Sequence, residues 1–228
     1  MKPSLSERAY VAIRERILRG ELALGEPLSR RSLATQLGMS VLPVNEALQR
    51  LEADRLVESR PRAGTRVRFP SPRDISESYV IREALEAQSA RLFTESASAA
   101  QRRELARKAE RVDILFNRLA EGEADPEFQY VVHSDHARFH MFIAESTECE
   151  LLFRLIERNQ VLVHNWLYDV AARRRALPPR FHRDLATVLA GTSVAASDRR
   201  IREHVRYGLK ETIDNMQKPA TEDWRRSR

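Results

Sequence analysis

The side chains best suited to chemistry are the histidines. Six occur in the chain, and His133, His136 and His140 stand at i, i+3 and i+7, which puts three imidazoles on one face of a helix. His182 and His204 fall on two later segments, so packing of those segments could bring imidazoles from separate elements together. Imidazole readily binds zinc-like ions, and sensing or catalytic sites draw ligands from several elements while leaving positions open. The competing reading of any one helical histidine is a surface residue or a hydrogen-bonded core group, and His164 is read that way. Spacing alone leaves both readings open.

Other reactive constellations are missing. Two-metal bundle enzymes use Glu-x-x-His pairs, and no histidine here has Glu three residues before it. There is no G-x-S-x-G elbow, phosphate loop or Cys-His pair. Cys149 is the single cysteine, cannot form an internal disulfide, and reads as a buried, inert thiol.

The elements that must carry these residues can be read from periodicity and caps. Ser4 to Glu7 has capping-box spacing before Tyr10, Ile13 and Ile17, predicting a helix that ends at Gly20. Ser29 caps a short second helix with Leu33, Ala34 and Leu37 inward, stopped by Gly38. Ser40 opens a third, with Val44, Ala47, Leu48 and Leu51 on one stripe, which makes a helix-turn-helix. Leu56 to Arg60 and Thr65 to Phe69 alternate around Pro61 to Gly64 and read as a hairpin wing. Pro70 to Pro72 disfavours helix, so a linker is expected at 71–73, separating a first domain, 1–70, from an all-helical antiparallel bundle, 74–217. Asp74 is the expected cap of the first bundle helix, to about Glu95. Ser98 with Gln101 opens the next, followed by helices near 127–146, 148–173, 179–190 and 194–217. Residues 218–228 read as a loose tail.

Charge separates the two parts. Of the net +6 on 228 residues, residues 1–70 hold thirteen Lys and Arg against eight Asp and Glu, and the rest is nearly balanced. Clustered positive charge is what DNA phosphate requires. With 42% hydrophobic and 32% charged residues and no long apolar run, the chain reads as a cytoplasmic, folded, helix-rich protein. In a helix-turn-helix the third helix enters the major groove, so Ser40, Val41, Pro43, Asn45, Glu46 and Gln49 are the expected reading surface, with Arg60, Arg62, Arg66 and Arg68 on the wing.

The run LSRRSLATQLGMSVLPVNEALQRLEADRLVESRPRAGTRV resembles the winged helix of GntR-family transcription regulators over residues 5–69. The resemblance implies DNA contacts at Arg31, Ser40, Pro43 and Gly64. Val41 and Asn45 stand where the family normally carries arginine, and Val can neither hold phosphate nor read guanine, so an altered operator or weaker binding is expected. Arg55 replaces a usual glycine.

IREALEAQSARL, HARFH, FHRDLATVLAG and REHV together resemble the FCD ligand-binding domain of FadR-type GntR regulators over about residues 74–217. The resemblance implies a divalent metal, zinc or nickel, held by His136, His140, His182 and His204, with His136 where the family more often has Asp. His133 and Asp135 are neighbours that could substitute. It also implies a small carboxylate effector at the metal. Arg82 is then the expected clamp, with a buried pair to Glu86 as the alternative. A homodimer on a two-half-site operator follows from the helix-turn-helix reading. The other classes considered are a metal-dependent bundle enzyme with a DNA-targeting domain, and an architectural DNA-binding dimer.

Overall fold

The computed structural model describes residues 3–122, 125–159 and 177–217. His164, the end of the helix expected near 148–173, and the tail at 218–228 lie outside the described residues.

Helix α1, Leu5–Leu18, starts where Ser4 accepts from the Glu7 amide and buries Ala9, Ile13 and Ile17. Helix α2, Arg30–Leu37, is capped by Ser29 and ends at Gly38, whose φ of 64° allows the tight turn into α3, Val41–Ala53. Three strands follow the expected wing but add to it. β2, Val57–Arg60, pairs antiparallel with β3, Gly64–Val67, and β3 also pairs with β1, Pro27–Leu28, giving the order β1-β3-β2. β1 was not expected, because two residues show no alternation. Its pairing is extended by Gly25 N–H to Val67 O and Val67 N–H to Glu26 O. Arg55 takes φ 61°, the left-handed conformation that the usual glycine would supply without strain. Ile13, Ile17, Val44, Leu48, Leu51, Leu56 and Val67 form this part's core.

The bundle begins earlier than expected. Ser71, not Asp74, is the N-cap of α4, Pro72–Ser96, and Asp74 is the N3 partner of its capping box. Pro72 sits in the first turn, where its missing N–H has no cost, so residues 72 and 73 are helical rather than linker. α5, Ala99–Ala120, opens with the Ser98–Gln101 box as expected. α6 is Pro126–Glu145, α7 the helical residues 150–159, α8 Phe181–Leu189 and α9 Val194–Gln217. Phe93, Leu105, Val112, Phe116, Phe139, Leu185 and Ile201 join α4, α5, α6, α8 and α9 in one core. Cys149 is exposed, against expectation, because it lies in the polar turn between α6 and α7 rather than on an apolar face. Among the described residues, no helix is long and apolar enough to cross a membrane.

Candidate functional sites

Within the bundle, three helices bring three histidines to one point. His136 on α6, His182 on α8 and His204 on α9 each offer a ring nitrogen, all within 4.8 Å of one another. His140, one turn beyond His136, adds a fourth: its Nε2 lies 3.0 Å from His136 Nε2 and 3.3 Å from His204 Nε2. Two nitrogens bound to one ion at about 2.1 Å sit roughly 3.0 to 3.4 Å apart. The His136–His140 and His140–His204 pairs have that spacing, while His136, His182 and His204 as a set converge to within 4.8 Å, so a small inward shift would bring all four onto one ion of the zinc type. His133 is buried on the same helix, but it meets Phe116 edge-on at 6.1 Å between ring centroids and is not one of the three converging imidazoles. Asp135 is paired with Arg111 and Arg138.

Neighbouring carboxylates orient the rings. Asp113 on α5 accepts from His182 Nδ1 at 2.8 Å, and it also accepts the backbone N–H groups of His182 and Arg183. It thereby caps α8 from another helix, since Arg180, the residue at the N-cap, supplies no side-chain bond. The same contact fixes the imidazole tautomer with Nε2 available for coordination. Glu86 on α4 lies against His140, with Oε2 at 2.8 Å from Nδ1, while Oε1 accepts from Arg82 Nε at 2.7 Å. Arg82 Nη2 lies 3.3 Å from His140 Nε2.

Burial shapes the charge states. It pushes the His136 and His204 pKa values well below the usual imidazole range, and the neighbouring His140, His182 and Arg82 push the same way. Both rings are then neutral, the form that binds metal. Burial pulls His140 down too, against Glu86. For Glu86 burial acts to raise the pKa, yet Arg82 and His140 outweigh it and bring the carboxyl to about 2. A cavity of about 30 Å³, room for roughly two waters, adjoins His136, His182 and His204 and is walled by Tyr79, Arg82, Phe116, Phe181 and Tyr207.

The first 70 residues present a different surface. Ser40 precedes α3 without a side-chain cap bond, and Val41 and Leu42 are exposed on its first turn at 38% and 68%. Pro43 is buried, so of the expected reading residues it packs inward. Asn45 is half-buried, and its Oδ1 is buried with no hydrogen-bond partner among the described residues. Gln49, Arg31 and Arg62 are exposed, Arg62 at the wing tip with φ 65°. Gly64 opens β3 with φ 82°, a conformation a larger residue would strain to adopt. Arg66 is paired across the ladder with Glu58, which offsets its charge.

Residues 5–67 match the model of bacterial regulatory proteins of the gntR family. A probable D-xylose utilization operon transcriptional repressor from Paenarthrobacter nicotinovorans is 46% identical over 76 residues, 33% of this chain and 34% of that protein. The HTH-type transcriptional regulator YdfH of Escherichia coli is 24% identical over 97% of this chain and 94% of its own length. A solved GntR transcriptional regulator from Rhodococcus sp. RHA1 superimposes with a TM-score of 0.75 at 21% identity, covering 92% of this chain and 97% of that one. This is a transcriptional regulator with a GntR-family DNA-binding domain. It groups with regulators rather than enzymes.

Sequence reasoning about the regulator missed Asp113. An acid beside Val112 and three residues before Phe116, on the apolar stripe of α5, was the available signal, because buried carboxylates need partners. Leu42 was missed as well: it sits at the edge of the helix-turn-helix pattern, and its exposure appears only in three dimensions.

Proposed function

We propose that this regulator changes its operator affinity when a small carboxylate binds at a divalent metal, zinc or nickel, in an FCD-like helical domain, and that it works as a homodimer on a two-half-site operator. The observation that carries the reading is the convergence of His136, His182 and His204 from three helices, with His182 fixed by Asp113. His136, His140, His182 and His204 would hold the ion. A bound divalent ion supplies open positions that accept a carboxylate oxygen. Arg82 is paired with Glu86, yet it also borders the cavity, and a guanidinium has five donors, so both uses are open to one side chain. Four neutral imidazoles leave the ion's charge uncompensated at its first ligands, which favours an anionic effector.

The bundle reaches the DNA-binding part through more than the chain crossing at Pro70. Tyr130 on α6 donates to Glu15 on α1, Arg158 on α7 meets Asp54 and the Ala53 carbonyl, and Arg68 meets Asp74. Movement of α6 around its histidines therefore has a path to α1. The test is metal analysis of the purified regulator, followed by binding to a selected operator with and without chelator and a panel of small carboxylic acids. Stoichiometric metal and an affinity that shifts with one acid are expected; an affinity indifferent to metal and to every acid overturns the switch.

A further inference from the structure

We propose that Val41 and Leu42 read thymine methyl groups, making thymine opposite the first turn of α3 a specificity determinant of the operator; this rests on the DNA-binding reading above. A helix-turn-helix presents the N-terminal residues of its second helix to base edges in the major groove. The side chains exposed there are Val41 and Leu42, at 38% and 68%, whereas Pro43 and Val44 turn into the core.

Apart from Ser40, exposed at the N-cap with no side-chain cap bond, polar readers are set back or engaged elsewhere. Asn45 has its Oδ1 buried, and Glu46 and Gln49 lie one and two turns further along. Arg50 is held by Glu7 and stacked over the Tyr10 ring at 4.1 Å from its centroid. An apolar pair cannot satisfy the donors and acceptors of guanine, cytosine or adenine. The C5-methyl of thymine is the apolar group that base edges offer in this groove. Exposed Arg31 on α2 and Arg62 on the wing supply the phosphate contacts that seat such a helix without adding sequence information.

The experiment uses the full metal-loaded chain. Operators are selected from randomised duplexes, and each enriched thymine is then replaced by deoxyuridine, which lacks only the methyl group. Each contacted methyl should be worth about fourfold in affinity, the value of burying one methylene-sized group. Leu42→Ser and Val41→Ser, both at exposed positions, should keep the fold and lose the preference for thymine over uracil. Equal binding of thymine and uracil duplexes by the unaltered protein overturns the proposal while leaving DNA binding intact. Enriched sites without thymine at the first-turn positions also overturn it. Failure to enrich any sequence overturns the DNA-binding reading and this inference together.

Discussion

Asp113 carries two tasks with one carboxylate. Its oxygens accept the first amides of α8 and the Nδ1 proton of His182, so the start of a helix and the aim of a ligand are set by the same group. Burial acts to raise its pKa, and the bonds from His182 and Arg183 outweigh that and keep it ionised. Separating the tasks needs a side chain that can still cap but carries no charge. Asp113→Asn retains an acceptor for the α8 amides, so the fold should survive. The ring loses its anionic partner, and metal affinity should fall about 10- to 100-fold, as seen when such outer partners are removed. Competition with a chelating dye measures this. An unchanged metal affinity would mean that packing against Phe116, stacked at 5.6 Å, aims the ring instead.

At the scale of elements, the joint between wing and bundle is built from Ser71, Asp74 and Arg68. Asp74 accepts from the Ser71 backbone and hydroxyl and pairs with Arg68, the residue after β3. Burial acts to raise its pKa, but the Ser71 bonds and Arg68 prevail, so its pKa is lowered on folding. A lowered pKa means stability that is present above the unfolded value near 3.9 and lost as pH falls through the folded one. Asp74→Asn keeps an acceptor for Ser71 but loses the charge that faces Arg68 and the start of α4, so it should cost about 0.3 to 1 kcal/mol at pH 7 and progressively less below about pH 4. Urea unfolding at several pH values checks this; a cost independent of pH would assign the effect to shape rather than charge. This joint also shows what a pattern can hide. Pro72 reads equally as a helix breaker and as a first-turn residue, and only the reciprocal Ser71–Asp74 bonds decide. The longer elements were legible because their signals repeat: α9 has its expected bounds, and α5 its expected cap. The histidine set was legible through helical spacing and family resemblance. Asp113 and β1 were not, since one comes from a distant helix and the other is two residues long.

For the whole molecule, the question is how a bundle site is felt by the DNA-binding part. α6 bears His136 and His140 near its middle, and Tyr130 less than two turns earlier, where its hydroxyl meets Glu15 at 2.9 Å. Arg19, the C-cap of α1, lies 4.1 Å from the Tyr130 ring centroid and forms two bonds to Glu127. These contacts are partly or fully exposed and screened by water, so each contributes little to stability. Their value lies in direction. If α6 shifts when its histidines take up metal and effector, Glu15 and Arg19 transmit that shift to α1, which packs on α3. Typical couplings between sites are about 1 to 3 kcal/mol, small enough for a few surface contacts to carry much of one. Tyr130→Phe combined with Arg19→Ala should leave metal content and effector-free DNA affinity near those of the unaltered regulator, and should shrink the effector-induced change in operator affinity by up to about fivefold. Comparing operator titrations with and without the effector reads the ratio directly. If the ratio is unchanged, the path through Pro70 and the Arg68–Asp74 joint carries the signal, and the α1–α6 contact only seats one part on the other.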